Sequence, residues 1–346
     1  MCGDGKPISA ETKKEKLRSS RFSADHETLG RRVWQWLRPV VGLGLLIFLL
    51  WRVDWREMVR IVGQASVGYV GLALLIELLN MVPKVLRWRA LLISQGTREP
   101  FLRLLSIYFI GSFFSNFLPS DVGGDTMRML RMAQITGRGA DAISSVLVER
   151  LCGLFAVLLM GVVAVLSNWR LASAGGIGFL VLGMFILFIL AIALLFGLQA
   201  VRDRVDHLPA PVSRNLTRRW LAWLMTKLGE LYDSIYAFRG RWRALLVVLA
   251  FSLLFRLVSV CSLYVQSLAL HVSISFIWLM MIISLISVVT AVPLSLNAIG
   301  IKEGAYVFFF GLAGIAAPQA LALALLSRAV TLAVSLVGGM VYLLGV

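Results

Sequence analysis

The chain is poor in the residues that build disulfides, metal centres and water-exposed surfaces. Its 346 residues hold three cysteines, Cys2, Cys152 and Cys261, and three histidines, His26, His207 and His271. They share no ligand-like spacing, so a disulfide framework and a zinc site both lack a visible basis. Acidic residues are also scarce, 18 against 34 Lys and Arg, and charged residues make up 15% of the chain, where a soluble domain carries about 25%. No GxxxxGK[ST] segment occurs, which removes an ATP motor. No cofactor or metal is expected.

What is abundant is apolar length. Hydrophobic residues make up 59% of the chain and the mean hydropathy is +0.85. Runs of about 20 apolar residues, enough to cross a hydrocarbon core, follow one another with short polar breaks. The expected fold is an all-α polytopic membrane protein with full spans at 34–51, 61–83, 142–167, 174–198, 244–269 and 318–343. Two further stretches are interrupted. Apolar 101–118 is followed by a break and a helix at 124–136, and 274–292 by a break and 302–314. Each is expected to form a re-entrant helix hairpin, giving six spans and two hairpins.

The formal charge of +16 does not point to nucleic acid, because the basic residues gather at segment ends. One group, from Lys6 to Arg38, precedes the first apolar run, and another, from Arg202 to Arg243, separates two later ones. Lys84, Arg87, Arg89, Arg98 and Arg103 mark the segment after 83. By the positive-inside rule these are cytoplasmic. Residues 1–33 are then a basic flexible tail, and 34–346 a single transmembrane domain with a cytoplasmic basic segment at 199–243. In that segment LTRRWLAWLMTKLGELYDSIYAF is either an interfacial helix or the extension of a span. Both termini face the cytoplasm, and the location is the cell inner membrane. If 101–118 crossed fully, Arg128, Arg131 and Arg138 would lie outside, against the rule; a hairpin entering from the inside avoids this. The second hairpin would enter from the outside, so the two breaks raise an inverted repeat.

The segment NFLPSDVGGD holds the first break. Pro119 removes a backbone donor, and Gly123 and Gly124 permit close approach and unusual dihedrals. Asp125 falls near the start of the returning helix, where a carboxylate meets unpaired N–H groups, and Arg128 stands three residues on, on the same face. The plain alternative is a capped helix beside interfacial arginines. Pro293, Gly300 and Gly304 surround the second break, with Lys302 and Glu303 between them. Glu149, Arg150, Arg256 and Arg328 lie within or beside apolar runs. Unpaired charge in hydrocarbon costs several kcal/mol, so these groups should face one another, a polar cavity or the headgroup layer. Glu77 and Asn80 line one helix stripe, either of that cavity or of a helix pair. Arg328, deep in the last apolar run, is the strongest candidate for an anion or headgroup contact, a buried ion pair being the competing reading. Trp34, Trp51, Trp55, Trp88 and Trp242 read as interfacial anchors. Gly338 and Gly339 suit close helix packing and say little of oligomers, so a homo-oligomer stays an open expectation.

PSDVGGDTMRMLRM at 119–132, VLVERLCGL at 146–154 and PLSLNAIGIKEGAYVFFF at 293–310 resemble the lysylphosphatidylglycerol synthase transmembrane-region family, also described as flippase-like. On that resemblance Pro119, Gly123, Gly124, Asp125 and Arg128 match the first signature, Glu149 and Arg150 the second, and Gly300, Glu303 and Gly304 the third. In the family the membrane region moves lipid between leaflets, and its best understood members add a soluble aminoacyl transferase. The chain ends at Val346, so that domain is not expected here. The resemblance implies a flippase-like protein moving a polar or anionic lipid headgroup, its partners being membrane lipids, an anionic phospholipid or a lipid-linked substrate. A membrane-embedded lipid-modifying transferase and a lipid-binding assembly partner remain the alternatives.

Overall fold

The computed structural model describes Gly44, Ile47, Phe48, Trp51, and residues 53–117, 123–170, 176–205, 229, 236, 238, 240–291 and 298–344. The expected tail, nearly all of the first span, Pro119, Pro293 and most of the basic segment lie outside the described residues. In hydrocarbon every backbone N–H and C=O must be satisfied within its own segment. The apolar runs accordingly form helices: α1 Trp55–Gly63, α2 Val67–Leu79, α3 Met81–Ser94, α4 Phe101–Phe117, α5 Gly123–Thr136 and α6 Gly139–Ser167, then α7 Ile177–Val205, α8 Trp242–Ala269, α9 Phe276–Ala291, α10 Ile301–Leu312 and α11 Ala317–Leu343.

Five of these segments are long and apolar enough to cross a membrane: α2 with α3, α6, α7 up to Leu194, α8 and α11. The protein is thus an all-α polytopic membrane protein. Its outer surface agrees, for Val67, Leu166, Leu187 and Leu343 leave 84, 71, 66 and 84% of their area uncovered. Water would penalise such a surface and lipid chains do not. The remaining apolar helices are short. At about 1.5 Å per residue, α4 and α9, of 17 and 16 residues, fall a few ångströms below the ~30 Å of a hydrocarbon core.

Three boundaries differ from expectation: the second run starts at Val67 rather than 61, α7 reaches Val205 rather than 198, and the end of the second run moves furthest. The second run, expected to end near 83, continues to Ser94, because Asn80 keeps helical dihedrals and joins α2 to α3. Asn80 is buried and its side chain donates to Ser259 Oγ on α8 at 3.0 Å, which makes it a helix-pairing residue. The Lys84–Arg103 stretch looks like a polar loop, yet its first part is helical and packs inside. Carboxylates from other helices neutralise its charges, as described below.

Close packing locates the short helices. A Cβ on Gly124 would come within 1.9 Å of Ser115 Oγ and 2.1 Å of Gly111 O, so α5 lies against the backbone of α4. A Cβ on Gly338 would meet Phe109 O at 1.9 Å, and one on Gly339 would meet the Phe113 ring at 2.7 Å. The glycine pair near the C-terminus therefore seats α11 on α4 within the chain. The largest apolar core joins α6 through α11, and a second one centres on Val85, Trp88, Leu104 and Met132.

Candidate functional site

The second core carries the most charge. Glu149, on α6, is 2% exposed and draws in three donors. Arg87 Nε on α3 donates to Glu149 Oε1 at 3.2 Å, with its Nη2 on the same oxygen, and the Tyr108 hydroxyl on α4 donates at 2.9 Å. Arg128 Nη2, from α5, takes the other carboxylate oxygen. One carboxylate thus ties four helices together. Arg128 also donates to Asp125 Oδ1 at 3.3 Å, and Asp125 Oδ2 accepts from Arg150 Nε.

Aromatic faces complete the enclosure. The Arg128 guanidinium stands 4.4 Å from the Trp88 ring centre and 3.9 Å from that of Tyr108. A planar, weakly hydrated cation accepts this environment better than an ammonium would. Trp88 is fully buried and its Nε1 donates to Ser145 Oγ at 3.1 Å. The expected interfacial role is therefore wrong for Trp88, whereas Trp51, Trp55 and Trp242 are exposed as anchors should be.

The second break has its own pair. Ala298 and Gly300 both have positive φ, 50° and 79°, a region that favours glycine and marks a sharp change of direction. Glu303 is 1% exposed; its Oε2 accepts from the Gly300 N–H at 2.7 Å and its Oε1 from Arg328 Nε at 2.7 Å. Lys302 Nζ reaches Ser327 Oγ at 3.5 Å. Gly304 is one turn inside α10, its N–H bonded to Gly300 O, and is not itself the break. Gly123 opens α5.

The two centres follow one plan. In α5 and in α10 the third residue is acidic, Asp125 and Glu303. Each accepts from the Nε of an arginine 25 residues further on, in the next long helix. The surrounding elements repeat as well. Span, short helix, short helix, span runs 28, 17, 14 and 29 residues from Val67, and 28, 16, 12 and 27 residues from Trp242.

Between the centres, Lys84 donates to Glu77 at 3.3 Å, so Glu77 is an ion-pair partner. Lys84, Arg87 and Arg256 surround the Phe255 ring at 4.9, 5.4 and 4.9 Å. Glu77 also lies within electrostatic reach of Lys302. The result is a polar seam through the bundle. Among the described residues its cations are Lys84, Arg87, Arg128, Arg256, Lys302, Arg328 and, at its edge, the half-exposed Arg150, and its carboxylates are Glu77, Asp125, Glu149 and Glu303. Beside it runs an apolar groove of about 340 Å³ between α6, α7 and α8, lined by Val148, Leu151, Phe155, Phe188, Ile192 and Leu249 among others. Val148 is the chain neighbour of Glu149. Among the described residues no group of three His, Cys, Asp or Glu side chains can hold a metal ion.

Sequence reasoning missed Arg87, Trp88 and Tyr108. The usable signal was the recurrence of Trp88, Leu91 and Leu92 at helical spacing after Lys84, which a cytoplasmic loop has no reason to keep.

Comparison with known proteins finds relatives among membrane proteins. Over 309 residues, 83% of this chain and 86% of the relative, the sequence is 21% identical to a UPF0104 membrane protein of Methanothermobacter thermautotrophicus. Over 173 residues, 49% of this chain and 51% of the relative, it is 20% identical to a UPF0104 membrane protein of Pyrococcus horikoshii. Residues 35–339 match the family described as the lysylphosphatidylglycerol synthase TM region. Every paired charge of the seam falls within that match, as do the spans apart from the last four residues of α11, and the chain belongs to this flippase-like, transporter-type membrane family.

Proposed function

We propose that the protein carries the anionic head of a membrane lipid between leaflets along the polar seam, without a nucleotide motor. The observation that carries this reading is the cation excess of the seam, six to four among the described residues with the half-exposed Arg150 set aside, inside helices whose outer faces are apolar. Positive charge held in a low-dielectric interior attracts a phosphate-bearing head and rejects a free cation. The apolar groove beside Glu149 suits an acyl chain that stays in the bilayer while its head moves.

In this reading α4 with α5, and α9 with α10, are re-entrant hairpins. Each unit of span, hairpin and span crosses twice, and α7 adds one crossing between them. The second unit therefore starts from the opposite side, and the repeat is inverted. Charge placement supports cytoplasmic termini in an inner membrane. The connections 270–275 and 313–316 contain no Lys or Arg, whereas Arg98, Arg103 and Arg138 crowd the other face. The pairs Asp125–Arg150 and Glu303–Arg328 part to admit a head and re-form behind it. Arg328 contacts the headgroup while its pair with Glu303 is open.

The test is reconstitution into sealed vesicles with headgroup-labelled phosphatidylglycerol or phosphatidylcholine, followed by a leaflet-accessibility assay. Faster protein-dependent exchange of the anionic lipid is expected. Exchange of neither lipid, or covalent turnover of lipid in detergent, overturns the proposal, and the second result favours the transferase reading.

A further inference from the structure

Two cations of the seam make no ion pair among the described residues, Lys302 at the second position of α10 and Arg256 in the middle of α8. Lys84, Arg87, Arg128, Arg150 and Arg328 each face a carboxylate. Arg256 has no carboxylate partner among the described residues. Its hydrogen bond runs from Nη1 to Ser287 Oγ at 3.5 Å, the outer limit for such a contact, and its Nε is hidden from water with no acceptor.

Its position makes this costly. Arg256 lies midway along the 28-residue α8, about 20 Å of helix from either end, farther than an arginine side chain reaches by snorkelling. Ser252, one turn earlier on the same face, receives Arg87 Nη1 at 3.5 Å, and Lys84 approaches the same Phe255 ring. Three cations thus converge on one apolar side chain, and the carboxylates beside two of them are already engaged by Lys84, Arg87 and Arg128. A cation retained there without a counter-charge has an unfilled donor set, and a planar guanidinium fits a tetrahedral oxyanion.

We propose that Arg256 and the Ser287 hydroxyl form a phosphate-binding site at mid-depth of the seam. Under the transport reading, on which the choice of ligand rests, the phosphate is that of a lipid head between the two acid–arginine pairs. Free phosphate offers the same chemistry, and the experiment separates the two sources. A purely structural arginine and an anion site differ in one respect. Removing a structural cation weakens the protein at once, whereas removing an uncompensated one leaves the anion-free protein equally stable or more so.

The full chain is purified in nonionic detergent as wild type, Arg256→Gln, Arg256→Leu and Arg256→Lys. Thermal unfolding is followed with no additive, with short-chain phosphatidylglycerol, with inorganic phosphate, and with a phosphate-free glycolipid of the same chain length. Phosphatidylglycerol should raise the wild-type Tm and the glycolipid should not. The Gln and Leu variants should need at least ten-fold more phosphatidylglycerol for the same rise, with an unchanged or higher Tm without additive, and the Lys variant should lie between. A response to inorganic phosphate alone assigns the site to the free anion, and a response to phosphatidylglycerol alone assigns it to the lipid head. The proposal falls if the wild type responds to neither anion, or if the Gln and Leu variants keep the wild-type response. It also falls if those variants lose stability or fail to fold without additive while the Lys variant keeps its full response. Leaflet exchange by the wild type is measured separately. Exchange with an unaltered variant response removes the Arg256 site and keeps transport, and an altered response without exchange does the reverse.

Discussion

At the scale of single residues, Glu149 is the group on which most depends. Glu149→Gln removes the counter-charge of the buried Arg87 and one of the two carboxylates that face the buried Arg128. Breaking a buried pair from one side costs about 3–5 kcal/mol, so the variant should unfold well below the wild type in detergent, and an unaltered Tm would contradict the assignment. Tyr108→Phe takes away one hydrogen bond to the same carboxylate and should cost roughly 1.5–3 kcal/mol, which the same melt measures. Arg328→Lys keeps the charge opposite Glu303 and loses the planar donor set. It should fold and show a weaker preference for anionic over zwitterionic lipid in the exchange assay. A loss of stability with unchanged preference would leave Arg328 a structural ion-pair residue. The sequence made part of this legible. Asp125 and Arg128, three apart on one helix, pair as that spacing requires. Glu149 and Arg150 stood out as intramembrane charges, but neighbours on a helix point about 100° apart. Glu149 therefore turns inward to Arg87 and Arg128, while the Arg150 side chain, 51% exposed, meets Asp125 from outside. No spacing along one helix could reveal the partners contributed by α3 and α4.

Among the elements, apolar length located most helices to within about three residues at their apolar ends, since hydrocarbon leaves the backbone no other conformation. The exceptions were the start of α2, the end of α7 and, most of all, α3. A helix that buries Lys84 and Arg87 looks polar until the carboxylates of other segments are placed beside it. The α4–α5 contact gives a sharp test. Gly124→Val puts a branched side chain where even a Cβ would sit 2.1 Å from the Gly111 carbonyl oxygen, and a backbone atom cannot turn away as a side chain can. The hairpin must open, so lipid exchange should fall by an order of magnitude or more while membrane insertion persists; wild-type exchange at equal expression would refute the close fit. Gly183, the seventh residue of α7, has nothing within 4 Å of a Cβ. Gly183→Ala should leave exchange unchanged and gain up to about 1 kcal/mol of helix propensity, which serves as the control for glycine replacement in general.

For the whole molecule, orientation is the property to test. Cysteines introduced at 129–138, on α5 and the turn after it, should react with a membrane-impermeant maleimide from the cytoplasmic side only, and one at Ser273 from the opposite side only. Labelling of 129–138 from outside alone would remove the first hairpin and the inverted repeat with it. The seating of Gly338 and Gly339 against Phe109 and Phe113 has a consequence for biogenesis. The groove that α4 offers is filled by a helix whose glycines come more than 200 residues later in the chain. Until that helix has been synthesised the backbone surface of α4 is open to lipid or to a chaperone, and this part of the bundle can only close after it arrives.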